Sequence, residues 1–359
     1  GEAKECSPVH YAIFVSFFPH LLAGPLLHHK EMMPQFADPA SYRPRAENFS
    51  VGLTIFIIGL FKKTVLADGI ALYANPVFAA AVHGAAPDLV AAWGGALAYT
   101  FQLYFDFSGY SDMAIGAARC FGIVMPVNFF SPYKAASITE FWRRWHMTLS
   151  RFLRDYLYIA LGGNRRGRAR RYVNLMLTMV LGGLWHGAAW TFVAWGALHG
   201  LYLVIHHAWR AAAEALGLAG KGGVAGRWAG RLITFLAVVF GWVLFRADSF
   251  QGALRIIAGM LGLNGVGPAG VLLGPWTGGL FAGLDQTLWL AVLFLVAFAL
   301  PNTHEFMTRF RPALAPAGFD RPARWAWGAQ PAWSLAMVAG LLVALSRMSG
   351  VSEFLYYQF

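Results

Sequence analysis

Between Tyr172 and Ala208 the chain carries no charged side chain other than four histidines. A membrane helix needs about 20 apolar residues, so a run of this length suits two crossings better than one. His186 sits near the middle of this run. An ionisable ring among apolar neighbours is expensive in a membrane and reads as functional by default; a structural histidine bonded to a carbonyl is the plainer alternative.

The remainder of the chain is consistent with that start. Of its 359 residues 58% are hydrophobic and 13% charged, against about 25% charged in a soluble domain. This is the composition of an integral membrane protein. The 28 Lys and Arg against 17 Asp and Glu leave a net charge of +11, which positive cytoplasmic loops and anionic membrane lipids explain without nucleic acid. Cys6 and Cys120 form neither a CxxC pair nor a disulfide framework. The opening GEAKECSP is not a signal peptide, and an upstream part of the protein is expected.

Taken in order, residues 9–27 are apolar but interrupted by Pro19, Gly24 and Pro25, which predicts a broken or re-entrant segment. The run 49–60 is short for a crossing and ends at Lys62 and Lys63, so it is expected either to tilt with its lysines snorkelling or to stop part-way. A cleaner crossing is predicted over 89–105. It leads into DFSGYSD, where Asp106 and Asp112 could pair with arginines or bind a ligand, and structural pairing is the expectation.

A second informative stretch covers 137–163. Ser137 and Glu140 have capping-box spacing, and Gly162-Gly163 would end the helix. Ile138, Phe141, Trp142, Trp145, Leu149, Phe152, Leu153 and Tyr156 repeat at three and four residues, predicting one amphipathic helix. Arg143, Arg151 and Arg154 fall on its far face, and His146 on the border between the two. Such a helix could rest among lipid headgroups. The GGNRRGRARR loop that follows reads as cytoplasmic, and its arginines would also suit the phosphates of a nucleotide-bearing donor.

Gly183 and Gly187, then Gly196 and Gly200, allow close helix approach around His186. His199 would lie about 20 Å from His186 on an unbroken helix, so the two can meet only if the chain turns between them. His206 and His207 read as boundary residues. Further crossings are predicted over 232–245, 287–300 and 332–345, with PNTHE and the terminal SEFLYYQF at membrane boundaries. There is no HExxH, phosphate loop, GxSxG elbow or dinucleotide fingerprint. Histidines in apolar surroundings beside a basic loop favour base-assisted group transfer in the membrane.

Four stretches, FVSFFPHLLAGPLLHHKEMMPQF, LYFDFSGYSDMAIGAARCFGI, ITEFWRRWHMTLSRFLRDYLYIALGGNRRG and LGGLWHGAAWTFVAWGALHG, together resemble the membrane-bound O-acyltransferase family, most closely its bacterial alginate O-acetylation branch. The likeness is strong over about 9–209 and looser over 210–359, within a single domain spanning 1–359. It implies an all-α integral membrane fold, a ring of transmembrane helices with re-entrant and interfacial helices around a central tunnel. Family members carry further helices upstream, which this chain is expected to lack. The resemblance makes His186 the catalytic histidine and places a second His or Asn at the position of His146. Arg143, Arg144 and Arg165 are candidate donor contacts.

The implied reaction moves an acetyl group from a cytoplasmic thioester, acetyl-CoA or another acyl thioester, to hydroxyls of an exported polysaccharide, directly or through extracytoplasmic partner proteins. No tightly bound cofactor or metal is expected, and the setting is the bacterial inner membrane, with lipids as neighbours and multiple crossings. Burial favours an uncharged imidazole, so His186 is expected to take the hydroxyl proton or, if an acyl-histidine forms, to act as nucleophile. His146 would orient the acceptor, stabilise the oxyanion or relay the proton. D-alanyl transfer to a cell-envelope polymer is the related alternative, and a non-catalytic channel or transporter the unrelated one.

Overall fold

The computed structural model describes residues 7–21, 24–218, 220–316, 318–319, 326–328 and 330–348. Among them the regular structure is helical, with one isolated β-bridge between Pro126 and Leu314. The helices are α1 (Pro8–Ser16), α2 (His29–Ala37), α3 (Ala46–Phe61), α4 (Asp68–Val82), α5 (Leu89–Cys120), α6 (Ile138–Trp142), α7 (Met147–Phe152), α8 (Gly167–His186), α9 (Trp190–Ala215), α10 (Gly223–Arg246), α11 (Phe250–Met260), α12 (Gly283–Phe298), α13 (Thr303–Phe306) and α14 (Pro331–Ser346). Cys6 and the SEFLYYQF end lie outside the described residues.

The broken character expected over 9–27 is present: α1 stops at Ser16 and gives way to a single 3-10 turn, Phe18–His20. Three sequence expectations are altered. The short run 49–60 does not end at its lysines, because a π-helical turn, Lys62–Ala67, carries α3 into α4 and gives one helical run of 37 residues, Ala46–Val82. The crossing predicted over 89–105 continues through DFSGYSD to Cys120 as a helix of 32 residues. The single helix expected from Ser137 is broken by tertiary contacts into α6, α7 and a π-helical turn, Leu153–Tyr158.

Among the described residues, Ala46–Val82 and Gly223–Arg246 are long and apolar enough to cross a membrane; α12 and α14 are shorter apolar helices. The outward faces are greasy, with Leu72 72% and Ile233 67% exposed. In water such surfaces would cost about 25 cal/mol per Å², and in hydrocarbon they cost nothing comparable.

Two glycine-lined crossings organise the interior. A Cβ on Gly59 would lie 2.5 Å from the Gly109 carbonyl oxygen, and one on Gly52 would lie 2.6 Å from that of Gly116, so α3 and α5 meet backbone to backbone. Gly183 likewise faces the Phe192 carbonyl and Gly196 the Met179 carbonyl, which closes α8 and α9 into a hairpin turning at 187–189. The first crossing sets the carboxylates of α5 beside the lysines of the π-helical turn. Lys62 Nζ reaches Asp112 Oδ2 at 2.6 Å, and Lys63 Nζ reaches Asp106 at 2.6 Å and Asp68 at 2.8 Å. The expected charge pairing is therefore present, but with lysines, and instead of snorkelling Lys63 is buried and Lys62 half-buried.

Candidate active site

His186 is the last residue of α8, where Gly187 ends the helix. Gly187 is small for a reason: a Cβ there would press on the Phe192 ring at 2.6 Å. The imidazole is half-buried and meets three rings edge to face, Trp185 at 5.1 Å, Phe245 at 5.1 Å and Trp195 at 5.4 Å. Because the chain turns at 187–189, His199 returns to the same aromatic cluster. It contacts Trp195 at 5.0 Å and is fully buried.

His146 occupies the joint between α6 and α7, in the left-handed region at φ 41°. A residue with a side chain holds that conformation at a cost of about 1–3 kcal/mol only where its surroundings over-determine it. Here they do. The Met147 N–H donates to the Asn128 carbonyl at 2.8 Å, the Phe130 N–H to the Arg144 carbonyl at 2.9 Å, and the Ser150 N–H to His146's own carbonyl at 2.9 Å. The extended stretch around Asn128 thus breaks the helix that the apolar spacing predicts and turns His146 inward, 3% exposed, against Phe107 at 4.8 Å. Its Nδ1 lies 3.0 Å from Asn128 Oδ1, and its Nε2 has no hydrogen-bond partner among the described residues.

His146 and His186 both border one hydrophobic cluster, which His146 meets at Phe107 and Phe129 and His186 at Trp195 and Phe245. They are joined through a wall of rings: Trp145, adjacent to His146, meets Trp242 at 4.8 Å, Trp242 stacks on Trp195 at 5.8 Å, and Trp195 faces His186. Two imidazoles from different helices therefore share one apolar region, with at least one nitrogen free to accept a proton. That is the donor and acceptor inventory of acid-base group transfer. Among the described residues no cluster of three or more His, Cys, Asp or Glu is arranged to hold a metal ion.

The arginines separate. Arg144 is held by Glu140 at 2.8 Å and by the Phe130 carbonyl at 3.2 Å, and lies over the Phe319 ring. Arg143 and Arg165 are exposed. Arg168, Arg170 and Arg171 occupy the first turns of α8, where cations oppose the helix dipole, and Arg171 Nη2 lies 2.9 Å from His207 Nδ1. The basic end and His186 are at opposite ends of α8, about 22 Å apart along a regular helix between Arg171 and His186.

Asn128 was not legible as a site residue from spacing. The available signal is one amide in the apolar run MPVNFF, with a fully buried side chain in the structure.

The family model of MBOAT, the membrane-bound O-acyltransferase family, matches residues 1–242. A peptidoglycan O-acetyltransferase of Helicobacter pylori is 52% identical over 256 residues, covering 71% of this chain and 47% of the relative. A probable alginate O-acetylase of Pseudomonas putida is 42% identical over 360 residues, covering 98% of this chain and 69% of the relative. A teichoic acid D-alanyltransferase of Streptococcus thermophilus is 30% identical over 217 residues, covering 58% of this chain and 52% of the relative. The chain thus spans from about half to about two thirds of the length of these relatives.

Proposed function

We propose, from the premise that this chain belongs to the membrane-bound O-acyltransferase family, that it is the acyl-transfer core of an O-acetyltransferase acting on an exported, alginate-like polysaccharide. The donor is a cytoplasmic thioester such as acetyl-CoA, approaching from the basic end of α8. The acceptor is a hydroxyl arriving from the other face, on the polymer itself or on an extracytoplasmic partner protein. The full-length protein is a multi-pass protein of the bacterial inner membrane. A ring of helices around a tunnel would bring both reactants to the histidine pair.

The observation that supports this reading is that His186, at the end of α8, and His146, at the α6–α7 joint, border the same hydrophobic cluster. His186 meets the reacting acyl group. An imidazole beside it takes the hydroxyl proton as the new C–O bond forms, help worth about 10²- to 10⁴-fold in rate. Arg165, exposed just before the basic end of α8, and Arg143, exposed at the end of α6, are the donor-side contacts; Arg144 supports the joint on which His146 is mounted. Acetyl transfer is favoured over D-alanyl transfer because the relatives named for O-acetylation are 42% and 52% identical and the one named for D-alanylation 30%.

The test is His186→Ala in the full-length protein, with membrane insertion and polymer O-acetyl content measured in the same cells. The proposal expects normal insertion and loss of acetylation. Normal acetylation by that variant would overturn it.

A further inference from the structure

Asn128 faces one ring nitrogen of His146. Its side chain is fully buried, and its Oδ1 is approached by three groups: His146 Nδ1 at 3.0 Å, Thr148 Oγ1 at 2.9 Å and the Thr148 backbone N–H at 3.4 Å. A backbone N–H can only donate, so the atom facing it is the amide oxygen and not the amide nitrogen. Asn128 Nδ2 then points the other way and donates to Ser111 Oγ at 3.1 Å. Thr148 is committed as well, since its Oγ1 accepts the Leu26 N–H at 3.0 Å and gives its single proton to Asn128. With an acceptor at 3.0 Å, His146 Nδ1 must be the protonated nitrogen. The lone pair is left on Nε2, the atom that is buried and has no partner among the described residues.

We infer that Asn128 is a positioning residue that locks His146 in the Nδ1–H form and so makes His146 Nε2 the atom that receives the acceptor's hydroxyl proton. This rests on the acyl-transfer reading, and it moves the proton-accepting role from His186, where the sequence places it, to His146. The logic is that of a base oriented by a third group. In the step itself the hydroxyl oxygen attacks the thioester carbonyl carbon. A C–O bond forms while the O–H proton passes to Nε2. The C–S bond then breaks, and the proton held on Nε2 goes to the departing thiolate, giving a thiol, an ester and His146 neutral again. The network also explains two distant motifs, because Ser111 belongs to DFSGYSD and Leu26 to FPHLLAGPLL.

The experiment uses the full-length protein in membrane vesicles, with radiolabelled acetyl-CoA as donor and a polymannuronate oligosaccharide as acceptor. Asn128→Leu keeps the bulk and removes the acceptor. It is expected to lower kcat by about 10²-fold, within the range of general-base help, with little change in either KM. Asn128→Asp restores an acceptor facing Nδ1 and is expected to recover at least a tenth of wild-type kcat. Thr148→Val, a milder change, should lower kcat several-fold and serves if the Leu variant fails to insert. Full kcat in Asn128→Leu, or in Thr148→Val where the Leu variant does not insert, would overturn the inference. So would an inserted Asn128→Asp variant as inactive as Asn128→Leu. His186→Ala run alongside keeps the two ideas apart: acetyl transfer surviving that change sinks the acyl-transfer reading, whereas loss there with Asn128→Leu unaffected sinks this inference alone.

Discussion

Replacing Lys62 by Met removes one of the partners of Asp112, a buried carboxylate of the helical core. Asp112 is 4% exposed and Lys62 14% at their side chains, and the pair is 2.6 Å apart. Losing the ammonium from a buried pair costs about 3–5 kcal/mol, because the remaining charge is stranded. Two groups stay behind to soften the loss. Thr303 Oγ1 donates to Asp112 Oδ2 at 2.6 Å, and His304 Nε2 lies 3.4 Å from Oδ1. The expected cost is therefore at the lower end, about 3 kcal/mol. Adding Asp112→Asn removes the stranded charge while keeping an oxygen for Thr303, so the double variant should be more stable than Lys62→Met by about 2 kcal/mol. The assay is unfolding of the full-length protein in mixed micelles on titration with SDS, followed by tryptophan fluorescence. A Lys62→Met cost below about 1 kcal/mol, the level of an exposed pair, would refute the argument, as would a double variant no better than the single.

Gly196→Leu should force α8 and α9 apart, since even a Cβ there meets the Met179 carbonyl. Overpacking of about 1–3 kcal/mol is expected, with acetylation lost because His186 no longer faces Trp195; stability measured in micelles and polymer O-acetyl content check both. Arg143→Ala combined with Arg165→Ala should raise the KM for acetyl-CoA with kcat little changed, and the difference from wild type should shrink at high salt. An unaltered KM would remove these arginines from the donor path.

Much of the helical layout could be read from the chain because apolar runs and helix ends are local signals. The division of 172–208 into two helices follows from the length of the uncharged run, and Ile138, Phe141, Trp145 and Leu149 are buried as their spacing requires. The same stripe overreached beyond Leu149, since Phe152 and Tyr156 are 41% and 59% exposed. Side-chain periodicity carries no information about the backbone bonds from Met147 to Asn128 that break the helix at His146. His186 was legible because an ionisable ring in an uncharged run is conspicuous. Asn128 was not, because an uncharged amide leaves no such mark and its meaning depends on Ser111 and Thr148, 17 and 20 residues away. The lysine partners of Asp106 and Asp112 were missed for a related reason. The π-helical turn that inserts Lys62 and Lys63 into the core has no sequence signature of its own.

The most direct test is a cryo-EM structure of the full-length protein with the non-reactive thioether analogue of acetyl-CoA. The account predicts the acyl carbon lodged between the His186 ring and His146 Nε2, with the nucleotide end at the 162–171 segment. An analogue bound elsewhere, or two histidines sealed from it by the Trp145, Trp195 and Trp242 wall, would contradict the account.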